Sequence, residues 1–371
     1  MISHLIAVVA QNAPSFCHYA EMPITDTAPR LMPYPVLDAL LQWSNQRNIA
    51  VNFLQGSDPL PPEHDAAIEH AGHPRIVPIA LADRYPAAVI VAGPPDYPFL
   101  TELAPSDARV LILRARAADL PQLPDLIATA LPRSRRLNLL LERPDEFGEK
   151  DLSAYRTSLA SIAETLREHY LDGRARELSV LSDRLMLSQP NDCGAGERHV
   201  TVGTDGQFYL CPAFFHARDQ EYVSGDFETG PLDRNPELFC RDRAPICREC
   251  DAFQCKRCLY LNREATLEIN TPSREQCVVA HLEREASIRL RHLLVRENEI
   301  FRRFHEPPDL ESFDPLERTG RQRRNRARLT LGRGEPSSVV QNVRQMSDST
   351  IAARIAELQA ELARRRGERH G

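Results

Sequence analysis

Seven of the nine cysteines in this 371-residue chain fall into one pattern. Cys193 is followed after twelve residues by Gly206 and after four more by Cys211. Cys247-x2-Cys250-x4-Cys255-x2-Cys258 comes next, then Cys277 after eighteen further residues. Thiolates two residues apart can converge on one metal from a tight turn, while distant ones must be brought in by the fold. The segment lies among Arg, Asp and Glu rather than in apolar runs, which argues against cysteines used as small buried hydrophobes. Seven or eight thiolates fit two four-thiolate sites, and spacing alone leaves zinc and iron–sulfur equally open. Cys240 is an additional metal-ligand candidate, and it can equally be a free thiol.

A second constellation lies near the N-terminus. Cys17-His18 follows a strand-like run, at the position where α/β folds place ligand sites; it is the candidate catalytic pair, as nucleophile or metal ligand, against the plain reading of an inert buried thiol. Asp58 either binds a substrate amine or caps the turn before Pro59. His199 and His216 flank the first cysteines as candidate ligands or supporting hydrogen-bond donors, and otherwise as solvated loop residues. Arg218, Arg248, Lys256 and Arg257 stand beside thiols, where they either balance cluster charge or form a solvated surface.

These groups need elements to position them. β-branched runs at Leu5–Val9, Ile49–Leu54, Ile76–Leu81, Ala88–Ala92, Arg109–Leu113 and Leu137–Leu141 alternate with helical stretches at Pro35–Asn48, Ala115–Ala130 and Leu152–Tyr170. The alternation predicts an α/β fold with a parallel sheet, an open or partial (β/α) barrel over residues 1–185. His199–Val202 and Gln207–Cys211 flank Gly203-Thr204-Asp205-Gly206, a hairpin signal inside a small Cys-rich domain over 186–280. That segment has few large apolar residues, so metal ligation is expected to supply much of its stability. A helical extension over 281–371 is expected to hold a long helix from Val278 to Phe304, an Arg-rich tail and a last helix. The last helix starts at Asp348 and carries Ile351, Ile355, Leu358 and Leu362 at coiled-coil-like spacing.

The cysteine pattern resembles the SPASM domain of radical S-adenosylmethionine (SAM) peptide maturases, which carries auxiliary 4Fe-4S clusters. The resemblance implies one cluster on Cys193, Cys211 and Cys258, and another on Cys247, Cys250, Cys255 and Cys277. The first then has three thiolates, to be completed by Cys240 or left with an open iron. This chain spaces its middle cysteines x2, x4, x2 where the family has x2, x5, x3. Radical SAM enzymes also carry CxxxCxxC after the first barrel strand. Here Ala13-Pro14-Ser15-Phe16-Cys17-His18-Tyr19 keeps one cysteine, and Gln55-Gly56-Ser57-Asp58-Pro59 stands where the family has the SAM-binding Gly-Gly-Glu-Pro. A SPASM-like region on a barrel lacking the activating cysteines is similar to the CXXX-repeat peptide maturase family, across most of residues 1–295. The resemblance implies a maturase of a ribosomally made, Cys-rich precursor peptide with Cys-x-x-x repeats, working with two 4Fe-4S clusters and without ordinary SAM activation. The alternative is a non-catalytic peptide-binding scaffold with structural zinc or inert clusters.

With 52 acidic and 46 basic residues the net charge is −6, so no global positive field draws the chain to nucleic acid. Seven arginines and no acidic residue fall in residues 318–334. This Arg318–Arg333 run reads as a solubilising tail or a clamp for an acidic leader peptide, and the last helix as a self-association element. No apolar run approaches the ~20 residues needed to span a bilayer. Met1–Ala10 lacks a basic flank and a cleavage site, so a cytoplasmic location is expected.

Overall fold

The structure, a computed structural model, describes residues 2–19, 29–174, 176–187, 189–217, 222–231, 235–248 and 250–297. Arg218, the Arg318–Arg333 run, the helix expected from Asp348 and the expected stretch from 298 to Phe304 lie outside the described residues.

Short strands alternate with helices as the β-branched runs predict: β1 (His4–Val8), α1 (Tyr34–Arg47), β2 (Ala50–Leu54), α2 (Pro62–Ala71), β3 (Arg75–Pro78), β4 (Val89–Ala92), β5 (Val110–Ala115), α3 (Leu123–Ala130), β6 (Arg136–Leu141) and α4 (Glu149–Leu171). Then come β7 (Glu177–Leu178), α5 (Ser179–Met186), β8 (His199–Val202), β9 (Phe208–Tyr209), α6 (Pro212–Ala217), β10 (Val223–Asp226), β11 (Gly230–Pro231), α7 (Leu259–Thr266) and α8 (Arg274–Glu297). The strands form one sheet in the order β11-β10-β9-β8-β1-β2-β3-β4-β5-β6-β7. From β8 through β1 to β7 all neighbours are parallel, and β9 to β11 return antiparallel. The Cys-rich segment therefore joins the barrel sheet directly: β8 lies beside β1 with His4 opposite His199 and Ala7 opposite Val202.

Period-two alternation gives the sheet two apolar faces. Helices cover the outer one. Leu37, Leu40 and Trp43 of α1 pack on Leu5, Ala7, Val51, Phe53, Val200 and Val202. Leu159, Ile162 and Leu166 of α4 share a core with Leu111, Leu113, Leu137 and Leu139, as their one-face spacing predicts. The inner face presents Val8, Leu54, Ile76, Val91, Ile112 and Leu140. Ala13 and Phe16 from the loop after β1, and Tyr209, Phe215 and Val223 from the Cys-rich segment, fill it.

Proline moves two element boundaries from expectation. The third strand stops at Pro78 and passes into a 3-10 turn at Ile79–Leu81 instead of running on to Leu81, because a proline has no N–H for the ladder. The helix expected over Ala115–Ala130 is a 3-10 turn at Ala117–Gln122, interrupted by Pro121, followed by α3. Four helices not anticipated, α2, α5, α6 and α7, are ten, eight, six and eight residues long.

Ionic pairing fastens α8 to the Cys-rich segment. Asp251 is buried and faces Arg184 Nη2 at 2.9 Å and Arg284 Nε at 3.5 Å. Removing one partner of such a buried network costs about 3–5 kcal/mol. Next to it Glu283 accepts from Tyr155 Oη at 2.8 Å and Gln254 Nε2 at 3.4 Å, and burial above all pushes its carboxyl up to about 7. The folded state thus holds a proton that the unfolded chain, near 4.5, has released. This contribution to stability is complete below about pH 4.5 and is lost as pH rises through 7. Glu283→Gln removes the titration and keeps an oxygen to accept from Gln254 Nε2, with its new amide facing the Tyr155 hydroxyl. Denaturation at pH 4 and pH 9 should show the variant gaining about 3 kcal/mol on wild type at the higher pH alone. Parallel profiles would contradict this account.

Candidate metal centre

The first thiol group is assembled from three separate turns. Cys193 is tied to the later cysteines by its backbone, whose N–H donates to the Lys256 carbonyl at 2.9 Å. Its Sγ accepts the Ala195 N–H at 3.4 Å. The turn between them needs Gly194 at φ +71°, where a Cβ would fall 2.5 Å from Arg198 Nε. Arg198 in turn donates to Asp192 Oδ1 at 2.6 Å. Cys211 leaves β9 and precedes α6, and the backbone N–H groups of Ala213 and Phe214 face its sulfur. Cys258 precedes α7, and the N–H groups of Tyr260 and Leu261 face it likewise. Sulfurs that receive backbone N–H groups are prepared to carry negative charge, as thiolate ligands must.

The second group is more local. Cys247, Cys250 and Cys255 stand close enough that each thiolate would raise its neighbours' pKa. The Ala252 N–H faces Cys250 and the Arg257 N–H faces Cys255. Cys250 Sγ lies 3.6 Å from His281 Nε2 on α8. Cys277 opens that helix one turn before His281, so both belong to one helix face. His281 gave no signal in the spacing, because the resemblance directs attention to thiols.

Arg257 bridges the two groups. It is buried, holds φ at +48°, donates Nη1 to Asn270 Oδ1 at 2.9 Å and Nη2 to the Phe239 carbonyl, and its charge lowers both Cys193 and Cys247. Lys256 Nζ donates to the Asn191 carbonyl at 3.2 Å and acts on Cys193 in the same direction, whereas Arg248 is exposed. His199 stacks on His4 with ring centroids 5.0 Å apart, faces the Cys193 carbonyl, and is held neutral by burial, with its pKa lowered to about 3. His216 lies over Tyr19 at 6.0 Å. Cys240 Sγ points to the Pro236 carbonyl at 3.9 Å and to Glu197.

No disulfide joins any of the nine cysteines, and each is half-buried. Burial nonetheless leads the causes that raise Cys17, Cys193, Cys211, Cys247, Cys250, Cys255 and Cys258, pushing Cys211 and Cys255 up to about 12. Among the described residues no three His, Cys, Asp or Glu side chains are grouped as a single metal ion would need. A tetrahedral zinc, with Zn–S about 2.3 Å, sets its sulfurs roughly 3.8 Å apart. A four-iron cluster holds its thiolates at the corners of a larger body.

Cys17 sits on the loop that crosses the inner face. Ser15 Oγ donates to the Tyr19 carbonyl at 2.8 Å. The His18 ring meets the Leu141 carbonyl at 2.8 Å through Nδ1, and the Arg143 N–H donates to the His18 carbonyl at 2.9 Å. The loop is thereby stitched to the end of β6. Burial lowers His18, and burial followed by Cys193, Cys211 and Cys258 raises Cys17. A nucleophilic cysteine needs the opposite shift. Below Cys17 lies a buried ion pair that the sequence did not flag, Arg114 with Glu142, to which Arg116 adds at 3.1 Å.

An activating cluster with SAM does not fit this loop. One thiol, Cys17, stands where three are required, and Phe16 fills the inner face. A Cβ at Gly56 would fall 1.9 Å from Asn12 Oδ1, whose amide donates to Asp58 Oδ2 at 2.9 Å and Ser57 Oγ at 3.3 Å. Asp58 therefore holds its turn.

This parallel sheet with its helices matches the radical SAM fold. Among solved structures, native anSMEcpe with bound AdoMet superposes with a TM-score of 0.53 at 11% identity, covering 78% of this chain and 99% of that one. Its complex with AdoMet and the Cp18Cys peptide gives 0.52 at 13% identity over 80% of this chain and 99% of that one. No protein-family model matches the sequence, and no curated protein matches it.

Gly194→Ala tests the Cys193 turn. Thermal denaturation should show it losing more stability than Gly72→Ala, which shares a positive φ of +68° but meets nothing within 4 Å. Positive φ alone costs about 1 kcal/mol, and displacing Arg198 from Asp192 adds to it. Equal losses would mean that the turn is not braced by Arg198.

Proposed function

We propose that this chain is a cytoplasmic peptide maturase that binds a ribosomally made, Cys-x-x-x-repeat peptide and works without SAM activation. The observation that carries the reading is the pair of thiol groups whose sulfurs face backbone N–H groups, set on a fold that in anSMEcpe is seen with AdoMet and peptide together. Cys193, Cys211 and Cys258 would hold one four-iron cluster, and Cys247, Cys250, Cys255 and Cys277 the other. Such clusters supply electron transfer or, at an iron with an open position, coordination of a substrate thiolate. Zinc remains the alternative metal.

The residues around the thiols define what the protein itself contributes. Arg257 and Lys256 counter the charge that accumulates on the sulfurs. Asp251, Arg184 and Arg284 hold the loop of the second group against α5 and α8. Tyr19, Phe214 and Tyr260 form the apolar cluster against which Cys17, Cys211 and Cys258 pack.

A second reading, a scaffold that holds the peptide for another enzyme, is favoured by one observation: Phe16, Tyr209 and Phe215 fill the inner sheet face. Anaerobic co-expression with a peptide of four Cys-x-x-x repeats separates the two. The maturase reading predicts a changed peptide mass that disappears in Cys258→Ser, in protein that contains iron and acid-labile sulfide. A captured peptide of unchanged mass supports the scaffold. A peptide neither bound nor altered contradicts both.

A further inference from the structure

We propose that Cys17 is the fourth protein ligand of the centre formed with Cys193, Cys211 and Cys258, so that the loop after β1 closes an auxiliary site instead of building an activating one. The inference rests on the reading of these thiols as metal ligands.

Packing on both flanks of each residue forces the approach. Phe16, just before Cys17, shares an apolar cluster with Tyr209 and Phe215, which bracket Cys211 in sequence. Tyr19, just after, shares another with Leu210 and Phe214, and with Tyr260 and Leu261 beyond Cys258. Cys17, Cys211 and Cys258 all pack against that second cluster. Tyr19 and Tyr260 meet edge to face with centroids 6.4 Å apart, and Phe214 meets Tyr260 at 5.3 Å. A loop pinned on each side of one residue leaves that residue little freedom in where its side chain sits. The contact of the His18 ring with the last carbonyl of β6, and the hydrogen bond that the Arg143 N–H just beyond β6 donates to the His18 carbonyl, tie the loop to that strand end.

Cys240 does not compete for the place, since its sulfur faces Pro236 and Glu197. Charge fits as well. Arg114 lies within electrostatic reach of Cys17 and Tyr19, so a fourth thiolate would meet a buried guanidinium already held by Glu142. Four thiolates drawn from two regions would cross-link the barrel loop to the Cys-rich segment. They would also explain why one cysteine stands in the β1 loop where activation needs three: it belongs to a different centre.

The test compares wild type, Cys17→Ser, Cys17→Asp, Cys240→Ser and Cys258→Ser, purified anaerobically, by iron and sulfide content, EPR and Mössbauer spectra. Cys17→Ser should lose the metal of one centre, about half the iron, or convert it to a three-iron signal, as Cys258→Ser does. Cys240→Ser should match wild type. Cys17→Asp keeps an anionic donor and should retain iron with a shifted Mössbauer doublet; this readout would not move for a thiol that merely packs. Wild-type spectra and iron content in both Cys17 variants, with loss in Cys258→Ser, would overturn the assignment of Cys17 and leave the metal reading intact. Zinc that falls from two ions to one in Cys17→Ser would support Cys17 while ending the iron–sulfur reading. Wild-type protein free of metal would end both.

Discussion

An apolar inner sheet face has to be covered, and what covers it decides the chemistry available to this chain. Leaving Val8, Leu54, Ile76, Val91 and Ile112 wet would cost about 1.5–3 kcal/mol for each large side chain. Phe16, Tyr209 and Phe215 meet that requirement from two distant stretches of sequence. In doing so they carry Cys17 and Cys211 toward each other. The parallel pairing of β8 with β1 makes this possible, because it builds the Cys-rich segment onto the same sheet.

Thiols gathered in this way are electrostatically awkward. Burial above all raises Cys17, Cys211 and Cys258, and neighbouring sulfurs raise them further, which favours the neutral thiol over the bare thiolate. The surroundings, in contrast, are arranged for negative sulfur: backbone N–H groups at Cys193, Cys211, Cys250, Cys255 and Cys258, and the buried Arg257 between the groups. A bound metal removes the conflict, because it takes the charge that the sulfurs would otherwise impose on one another.

Much of this was legible from residue order. Alternating β-branched runs define the six strands β1 to β6, and Asp205-Gly206 defines the β8–β9 hairpin, because period and turn chemistry are local properties. Proline overrode the pattern at Pro78 and Pro121, where a missing N–H outweighs apolar periodicity. The Cys193 to Cys277 spacing is the ground for expecting ligation, yet spacing carries no information about Cys17, 176 residues ahead of Cys193. Its neighbours emerge from cross-sequence packing of aromatic residues that, read alone, look like ordinary core. Arg114 and Glu142 were hidden for the same reason: they are single charges at strand ends until the sheet places them side by side. His281 stands outside the cysteine spacing, and only the packing of α8 brings it beside Cys250.

The central claim is that these sulfurs enclose two inorganic centres. Anomalous diffraction from crystals of anaerobically prepared protein, recorded on either side of the iron absorption edge, tests it most directly. The account predicts two iron peaks, one bonded to the sulfurs of Cys193, Cys211 and Cys258 and the other to those of Cys247, Cys250, Cys255 and Cys277. Well-ordered sulfurs in both groups with no anomalous peak between them, at the iron or the zinc edge, would contradict it.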